Sequence, residues 1–373
     1  MRTRLIAFWQ NHPFRFTLVL ALLVRLGLWA VACLGTLFPV QDGRFPLVDA
    51  LGRHYRTLSP PCLDLLLRWD APFYLELAAH GYAPPNGPFH VAFFPLYPLG
   101  IAALSGLGLP PVVAALVLAN GCDLLAWCLF ADLLRRRLPP VQALAGLLLF
   151  ALFPGRQFAF CAYSEGPFLL LAIGAFCLYE RRQVVLAAGL CALASAVRPP
   201  GLAVGLALGL DGAVGVWRRQ PGYRWRQLLP LALAPLGLLA FMAHLQAQVG
   251  DPLAFMHIQH EWGRRLQPPW AILLSHGEWF DHLSLYFAGA VGWHMLRRRA
   301  PVRDLAFVAL CLAPAVASGS IKSMLRFVGV CFPLFIALPE LRPSRRQLVL
   351  YLLLTLFVGL LLAFKLGRGA NVV

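Results

Sequence analysis

Charge is what this chain has least of. Asp, Glu, Lys and Arg make up 13% of its 373 residues, about half the share of a soluble domain. The length alone would suggest two soluble domains, but so few charges cannot coat two globules, and that class is excluded. Acid is the scarcer sign, with 16 Asp and Glu against 32 Lys and Arg and a net charge of +16. No C-x-x-C pair occurs among the nine cysteines, which excludes a structural zinc or redox motif of that spacing. Cys33, Cys122, Cys128, Cys177, Cys191, Cys311 and Cys331 lie in apolar runs, Cys161 near the end of one and Cys62 in a polar loop, so packing is their expected role. Internal repeats and low-complexity tails are also missing. What remains is apolar sequence, 60% of the chain, in long runs.

In a soluble protein such a basic excess would point to nucleic acid. Here the basic residues stand in short clusters between apolar runs, as in the cytoplasmic loops of a polytopic membrane protein, and no nucleic-acid partner is expected. Helices of about 20 apolar residues cross a bilayer. Candidates run over 16–38, 111–133, 141–158, 166–180, 184–197, 201–217, 228–249, 282–296, 304–319, 326–341 and 347–366, with a twelfth apolar stretch at 89–108. The first follows Arg2 and Arg4, contains Arg25 and continues past signal-peptide length, so it is expected to stay as an uncleaved span.

The basic clusters at Arg2/Arg4, Arg135 to Arg137, Arg181/Arg182, Arg218 to Arg226, Arg297 to Arg303 and Arg342 to Arg346 should share the cytoplasmic side. Two spans separate each cluster from the next after Arg135, so parity holds if 89–108 does not cross. Pro95 and Pro98 disfavour a straight helix there, and that stretch is expected to be re-entrant or interfacial. The sequence therefore predicts one all-α integral-membrane domain over 1–373 with about 11 transmembrane helices, N-terminus in the cytoplasm and C-terminus outside. Two large extracytoplasmic loops cover 39–110 and 250–281, with shorter outer turns near 159–165, 198–200 and 320–325. The break at Arg198-Pro199-Pro200 splits one apolar run into two short helices.

On this topology ten of the sixteen acids face outward: Asp42, Asp49, Asp64, Asp70, Glu76, Glu165, Asp251, Glu261, Glu278 and Asp281. The densest group is Arg68-Trp69-Asp70, followed by a helical stripe of Trp69, Phe73, Tyr74 and Leu77 suited to the membrane surface. Asp70 beside that stripe is either a general base or an ordinary partner of Arg68 or helix cap. Tyr163-Ser164-Glu165 at a span entrance is either a second acidic site or capping. In the loop from Gly250 to Trp262, His257 and His260 with Glu261 could bind a metal, but a third ligand at fixed spacing is missing. Arg198, Lys322 and Arg326 are cations on the disfavoured side, and together they suggest a phosphate or pyrophosphate site. Inside the spans, Arg25, Asp123, Asp211 and His244 are where a transporter reading would begin, but they are scattered.

Several segments resemble one family. Arg68-Trp69-Asp70, Gly81-Tyr82 and Ala92-Phe93-Phe94-Pro95-Leu96-Tyr97-Pro98 are similar to the first-loop signature of the PIG-V-like mannosyltransferases, which include the enzyme adding the second mannose in glycosylphosphatidylinositol assembly. Phe153-Pro154, Tyr163-Ser164-Glu165 and Arg198-Pro199-Pro200-Gly201 match further motifs in the same order. Gly250-Asp251-Pro252-Leu253-Ala254-Phe255 and Arg326 with Phe332-Pro333 resemble motifs of bacterial members, and Pro200 departs from the Asn common in relatives. The resemblance runs from about residue 68 to 335.

The resemblance implies a GT-C bundle in the inner membrane using a polyprenyl-phosphate sugar donor on the extracytoplasmic side. Asp70 stands where the family carries its first-loop catalytic acid and Glu165 where it often carries a second. The expected reaction is transfer of a hexose, mannose above all, to a hydroxyl of a lipid- or glycan-linked acceptor with inversion. Arg68, Trp69, Tyr163, Arg198, Asp251, His257, Lys322 and Arg326 are the expected substrate-binding residues. No cofactor is required, since phosphate is already a good leaving group, although a divalent metal is compatible. The rival readings are a lipid or sugar transporter or flippase, a GT-C enzyme with another sugar, and a non-catalytic membrane scaffold.

Overall fold

A computed structural model describes residues 8–38, 63–82 and 87–370. Arg2, Arg4, Asp42, Asp49 and Cys62, with most of the first half of the 39–110 loop, lie outside the described residues. Among the described residues every regular element is helical and none is a strand. That follows from the solvent: in hydrocarbon each backbone N–H and C=O must find its partner within its own segment.

The principal helices are α1 (Pro13–Gly35), α2 (Ala71–His80), α3 (Leu96–Gly106), α4 (Pro111–Arg137), α5 (Pro140–Leu152), α6 (Glu165–Glu180), α7 (Val184–Ser195), α8 (Gly201–Trp217), α9 (Leu236–Val249), α10 (Trp279–Arg297), α11 (Val302–Ala317), α12 (Met324–Gly329) and α13 (Arg345–Gly367). Pro13, Pro111 and Pro140 begin α1, α4 and α5, where a missing N–H costs nothing. By length and composition α1, α4, the stretch Trp225–Val249 and α13 can each cross a membrane, and Pro140–Leu152 with Pro154–Phe160 makes a fifth crossing if that pair, bent by 67°, is one span.

Helix length and composition thus identify four to five of the about eleven expected spans among the described residues. α7 and α8 are shorter apolar helices of 12 and 17 residues. The stretch 326–341 is broken at Pro333 into α12, a helical turn at Pro333–Ala337 and a 3-10 turn at Leu338–Leu341, buried inside the bundle. Hydropathy registers such a run as apolar without distinguishing lipid from protein as the surroundings. The 89–108 stretch becomes a 3-10 turn at Pro88–Ala92 and the 11-residue α3. At 1.5 Å per residue α3 is about 16 Å long, roughly half the hydrocarbon thickness, so it does not cross by itself.

α4 against α6, α1 against α13, α6 against α7 and α8 against α11 form the main packing pairs. Two glycines admit the contacts that matter for the site. A Cβ on Gly166 would lie 2.2 Å from the Ala119 carbonyl oxygen, and one on Gly155 would lie 2.2 Å from that of Leu325. The start of α6 can therefore press on α4, and the 154–160 turn on α12.

The ionisable residues inside the spans are paired across helices. Asp123 of α4 binds both Arg25 of α1 and Arg156, and accepts from Trp127 Nε1 at 3.1 Å. At the basic end of the bundle Arg137 binds Glu180 at 2.5 Å and Asp304 at 2.7 Å, while Arg303 binds Glu180 at 2.9 Å and Asp211 at 3.3 Å. Tyr179 and Tyr223 both donate to Asp211. His244 packs its ring against Tyr82. α6 runs between this end and the opposite one, with Glu180 last and Glu165 first in a 16-residue helix, about 22 Å apart along its axis.

Candidate active site

Asp70 occupies the position before α2, with Pro72 in the first turn, yet its side chain makes no capping bond. It does not pair with Arg68 either, because Arg68 Nη1 donates to the Leu366 carbonyl oxygen at 2.8 Å, near the end of α13. Both ordinary roles open to Asp70 in the sequence are thus unfilled, and the carboxylate goes elsewhere: Oδ2 lies 2.7 Å from Arg326 Nη1. The backbone that aims it is held hard. Trp69 has φ +55°, in the left-handed region, so it precedes the helical stripe instead of joining it. The buried Tyr163 hydroxyl donates to the Arg68 carbonyl oxygen at 2.9 Å and accepts from the Asp70 N–H at 3.2 Å.

Glu165 opens α6 from the 161–164 turn, and Ser164 at the preceding position makes no side-chain cap. Its Oε1 receives Arg326 Nη2 at 2.7 Å and Nε at 3.0 Å, with Arg198 Nη1 at 3.1 Å. Its Oε2 is buried without a partner among the described residues. One guanidinium group therefore spans two carboxylates contributed by segments 95 residues apart. Arg326 also lies over the Tyr163 ring at 4.6 Å and the Phe158 ring at 5.4 Å. Arg198 comes from the proline break between α7 and α8, and the Leu96 N–H donates to the Ala196 carbonyl oxygen at 3.0 Å, fastening the start of α3 to the same turn.

The four side chains differ in access. Asp70 is 26% exposed, against 2% for Glu165, 8% for Arg326 and 9% for Arg198. Glu165 is thus a buried acid compensated by two guanidinium groups, while Asp70 is the acid a second molecule can reach. Around them stands an aromatic wall. Tyr74 hydrogen-bonds Ser164 at 2.8 Å and meets Phe93 and Tyr97 edge-on, Phe73 stacks on Phe93 at 4.7 Å, and Trp262 reaches in from the 250–281 loop against Phe89 and Phe93. Glu76 of α2 pairs with His90 at 2.5 Å, tying α2 to the 88–92 turn.

Asp70, Glu165, Arg198 and Arg326 are brought together, with Tyr163, Arg68 and Trp69 framing them. Asp251 and His257 instead pair with each other at 2.7 Å on the exposed loop, where the His257 hydrogen bond and the Leu253 N–H hold the Asp251 carboxyl below its ordinary range. Lys322 is exposed and stands outside the ion-paired group. No three His, Cys, Asp or Glu side chains among the described residues converge as metal ligands. Arg264 was not singled out by the sequence. It bonds Gln259 at 2.8 Å and lies over Phe327, burial pushes its guanidinium down, and Asp70 pulls it back up. Its signal was the loop itself, which brings a half-buried cation to an acid almost 200 residues away.

Residues 57–208 match the family model for mannosyltransferase (PIG-V). The mouse GPI alpha-1,6-mannosyltransferase 2 is 35% identical over 150 residues, which are 37% of this chain and 29% of the mouse protein. The rat and human proteins of the same name are each 34% identical over 150 residues, covering 37% of this chain and 30% and 29% of their own lengths. The chain therefore spans about three-tenths of the length of those relatives, and the stretch that matches the family model contains Asp70, Tyr163, Glu165 and Arg198 but not Arg326.

Proposed function

From a chain whose residues 57–208 match the model of the mannosyltransferase (PIG-V) family, we propose a membrane enzyme that transfers mannose from a polyprenyl phosphate to an acceptor hydroxyl with inversion. The observation that carries this reading is the Arg326 guanidinium group held between Asp70 and Glu165. Transfer needs a base for the acceptor proton and positive charge for the departing phosphate, and the cluster supplies both kinds of group within one ion pair's reach.

Asp70 acts as the base. Arg326 engages its Oδ2, so Oδ1 is the oxygen that takes the hydroxyl proton as the acceptor oxygen bonds to C1 of the sugar. The bond from C1 to the phosphate oxygen breaks on the opposite face and the electron pair leaves with the phosphate. Through the oxocarbenium-like transition state the growing phosphate charge is met by Arg198, Arg326 and Arg264. Three guanidinium groups against Asp70 and Glu165 leave one positive charge in excess, matched to an anionic donor. Glu165 is too enclosed to meet an acceptor, and it orients Arg326 and Arg198. The donor's isoprenoid chain would lie along α3, which is fastened to the Arg198 turn. The lipid- or glycan-linked acceptor would enter from the extracytoplasmic face of the inner membrane.

The test is transfer from labelled polyprenyl-phosphate mannose in membranes carrying wild type or Asp70→Asn. Loss of about 10² to 10⁴-fold in turnover, the worth of a positioned base, with unchanged membrane insertion is expected. Nearly full activity in the variant removes the base assignment.

A further inference from the structure

Asp281 is a buried acid with no Lys or Arg at ion-pair distance among the described residues. Burying a charge without an opposite one is costly, and burial pushes this carboxyl up to about 6. Its Oδ1 accepts from the Leu325 N–H at 2.8 Å, and the Ser323 amide also faces it. Leu325 is the second residue of α12, and the third is Arg326. Ser323, just before α12, is left-handed at φ +65° and makes no side-chain cap of its own. The first turn of α12 is therefore secured by a carboxylate 44 residues earlier in the chain. A second tie lies alongside, where the Ile321 N–H donates to Ser275 Oγ at 3.1 Å.

Arg326 has little freedom, since Nη1 must reach Asp70 while Nη2 and Nε reach Glu165, all between 2.7 and 3.0 Å. A shift of about 1 Å in such a group can cost about a hundredfold in rate. We propose that Asp281 is a positioning residue, whose carboxylate fixes the 321–325 turn so that Arg326 spans Asp70 and Glu165 at once. The consequence for transfer rests on the function proposed above, whereas the structural tie does not. The charged groups of the elements packed around Asp281 are Glu278 just before its helix and His282 within it, Lys365 of α13, which pairs with Glu278 at 3.6 Å, and Lys322 and Arg326 on the segment it holds.

The test compares wild type with Asp281→Asn and Asp281→Glu in nanodiscs by amide hydrogen exchange, thermal unfolding and mannosyl transfer. Asp281→Asn, a weaker acceptor, should lose about tenfold in exchange protection over 321–329 while α1 and α4 keep theirs, and kcat should fall about 10 to 100-fold with little change in KM. Asp281→Glu should recover part of both. Because its pKa is raised in the fold, Asp281 contributes stability that is fully present below the ordinary Asp value and lost as pH rises through about 6. The neutral Asn variant should therefore melt no lower than wild type at pH 7, an outcome a merely structural acid would not give. Wild-type protection at 321–329 in Asp281→Asn, or a loss spread evenly over the bundle, overturns the proposal. If wild type transfers no sugar from any donor, the function fails and the exchange data still decide the positioning.

Discussion

The two ends of α6 carry the same chemistry to different effect. At the Glu180 end its partners Arg137 and Arg303, and the Asp304 and Asp211 that these also bind, belong to the helices themselves, and their pairs link α4, α6, α8 and α11. At Glu165 the partners come from the turn before α2, the proline break before α8 and the short α12. Ion pairs between rigid helix ends behave as fasteners. Ion pairs between turns leave an acid that another molecule can approach, which is where binding and catalytic groups usually stand. The contrast lies in what carries each residue, since carboxylates and guanidinium groups make up both ends.

The sharpest way to break that contrast is Arg326→Lys. Lysine keeps the charge but lacks the fork that serves two carboxylates, so transfer should fall about 10² to 10³-fold while the melting temperature changes little. Wild-type transfer would remove the bridge from the mechanism. Arg137→Met at the other end should do the reverse. Orphaning Asp304 and leaving Glu180 with Arg303 alone should cost about 3–5 kcal/mol of stability, read as a lower melting temperature in nanodiscs, with turnover per folded molecule unchanged. A drop in turnover without loss of stability would erase the distinction between the two ends.

Gly155→Val tests whether the site depends on close backbone approach, since its Cβ would collide with the Leu325 carbonyl oxygen at 2.2 Å. About 1–3 kcal/mol of destabilisation together with reduced transfer is expected, whereas Gly87→Val, where a Cβ meets nothing within 4 Å, should leave both unchanged. The smallest effect belongs to Asp251. With its pKa lowered, its pair with His257 contributes stability present above the ordinary Asp value and lost as pH falls through the lowered one. Proteolysis of the 250–263 loop should thus be independent of pH from 5 to 8 as far as Asp251 is concerned, and Asp251→Asn should speed it only slightly.

Much of this was legible in the sequence, for physical reasons that can be named. Apolar run length placed helices at 16–38, 111–133 and 141–158, which start at Pro13, Pro111 and Pro140, and Pro95 and Pro98 marked the stretch that holds the short Leu96–Gly106 helix. The parity of basic clusters put Asp70, Glu165 and Arg198 at one end, and they meet there. The pairings themselves were not legible. Asp70 sits two residues from Arg68 and in a capping position, and nothing local says that Arg68 turns to Leu366 instead. Arg326 and Glu165 are separated by 161 residues, beyond any periodic signal. Arg25 and Asp123 looked scattered because their contact joins α1 to α4 across 98 residues. Helix bounds were hard to read where proline bends or breaks an apolar run, at Pro154 and Pro333, so helix length by itself does not fix the count of about eleven spans.

The hydrogen bond from Arg68 to the Leu366 carbonyl ties the backbone beside Asp70 to a residue made 298 positions later. A ribosome inserting this chain delivers Asp70 early, and the anchor of its loop arrives only once α13 has been synthesised. Any nascent product ending before Leu366 leaves Arg68 without that carbonyl.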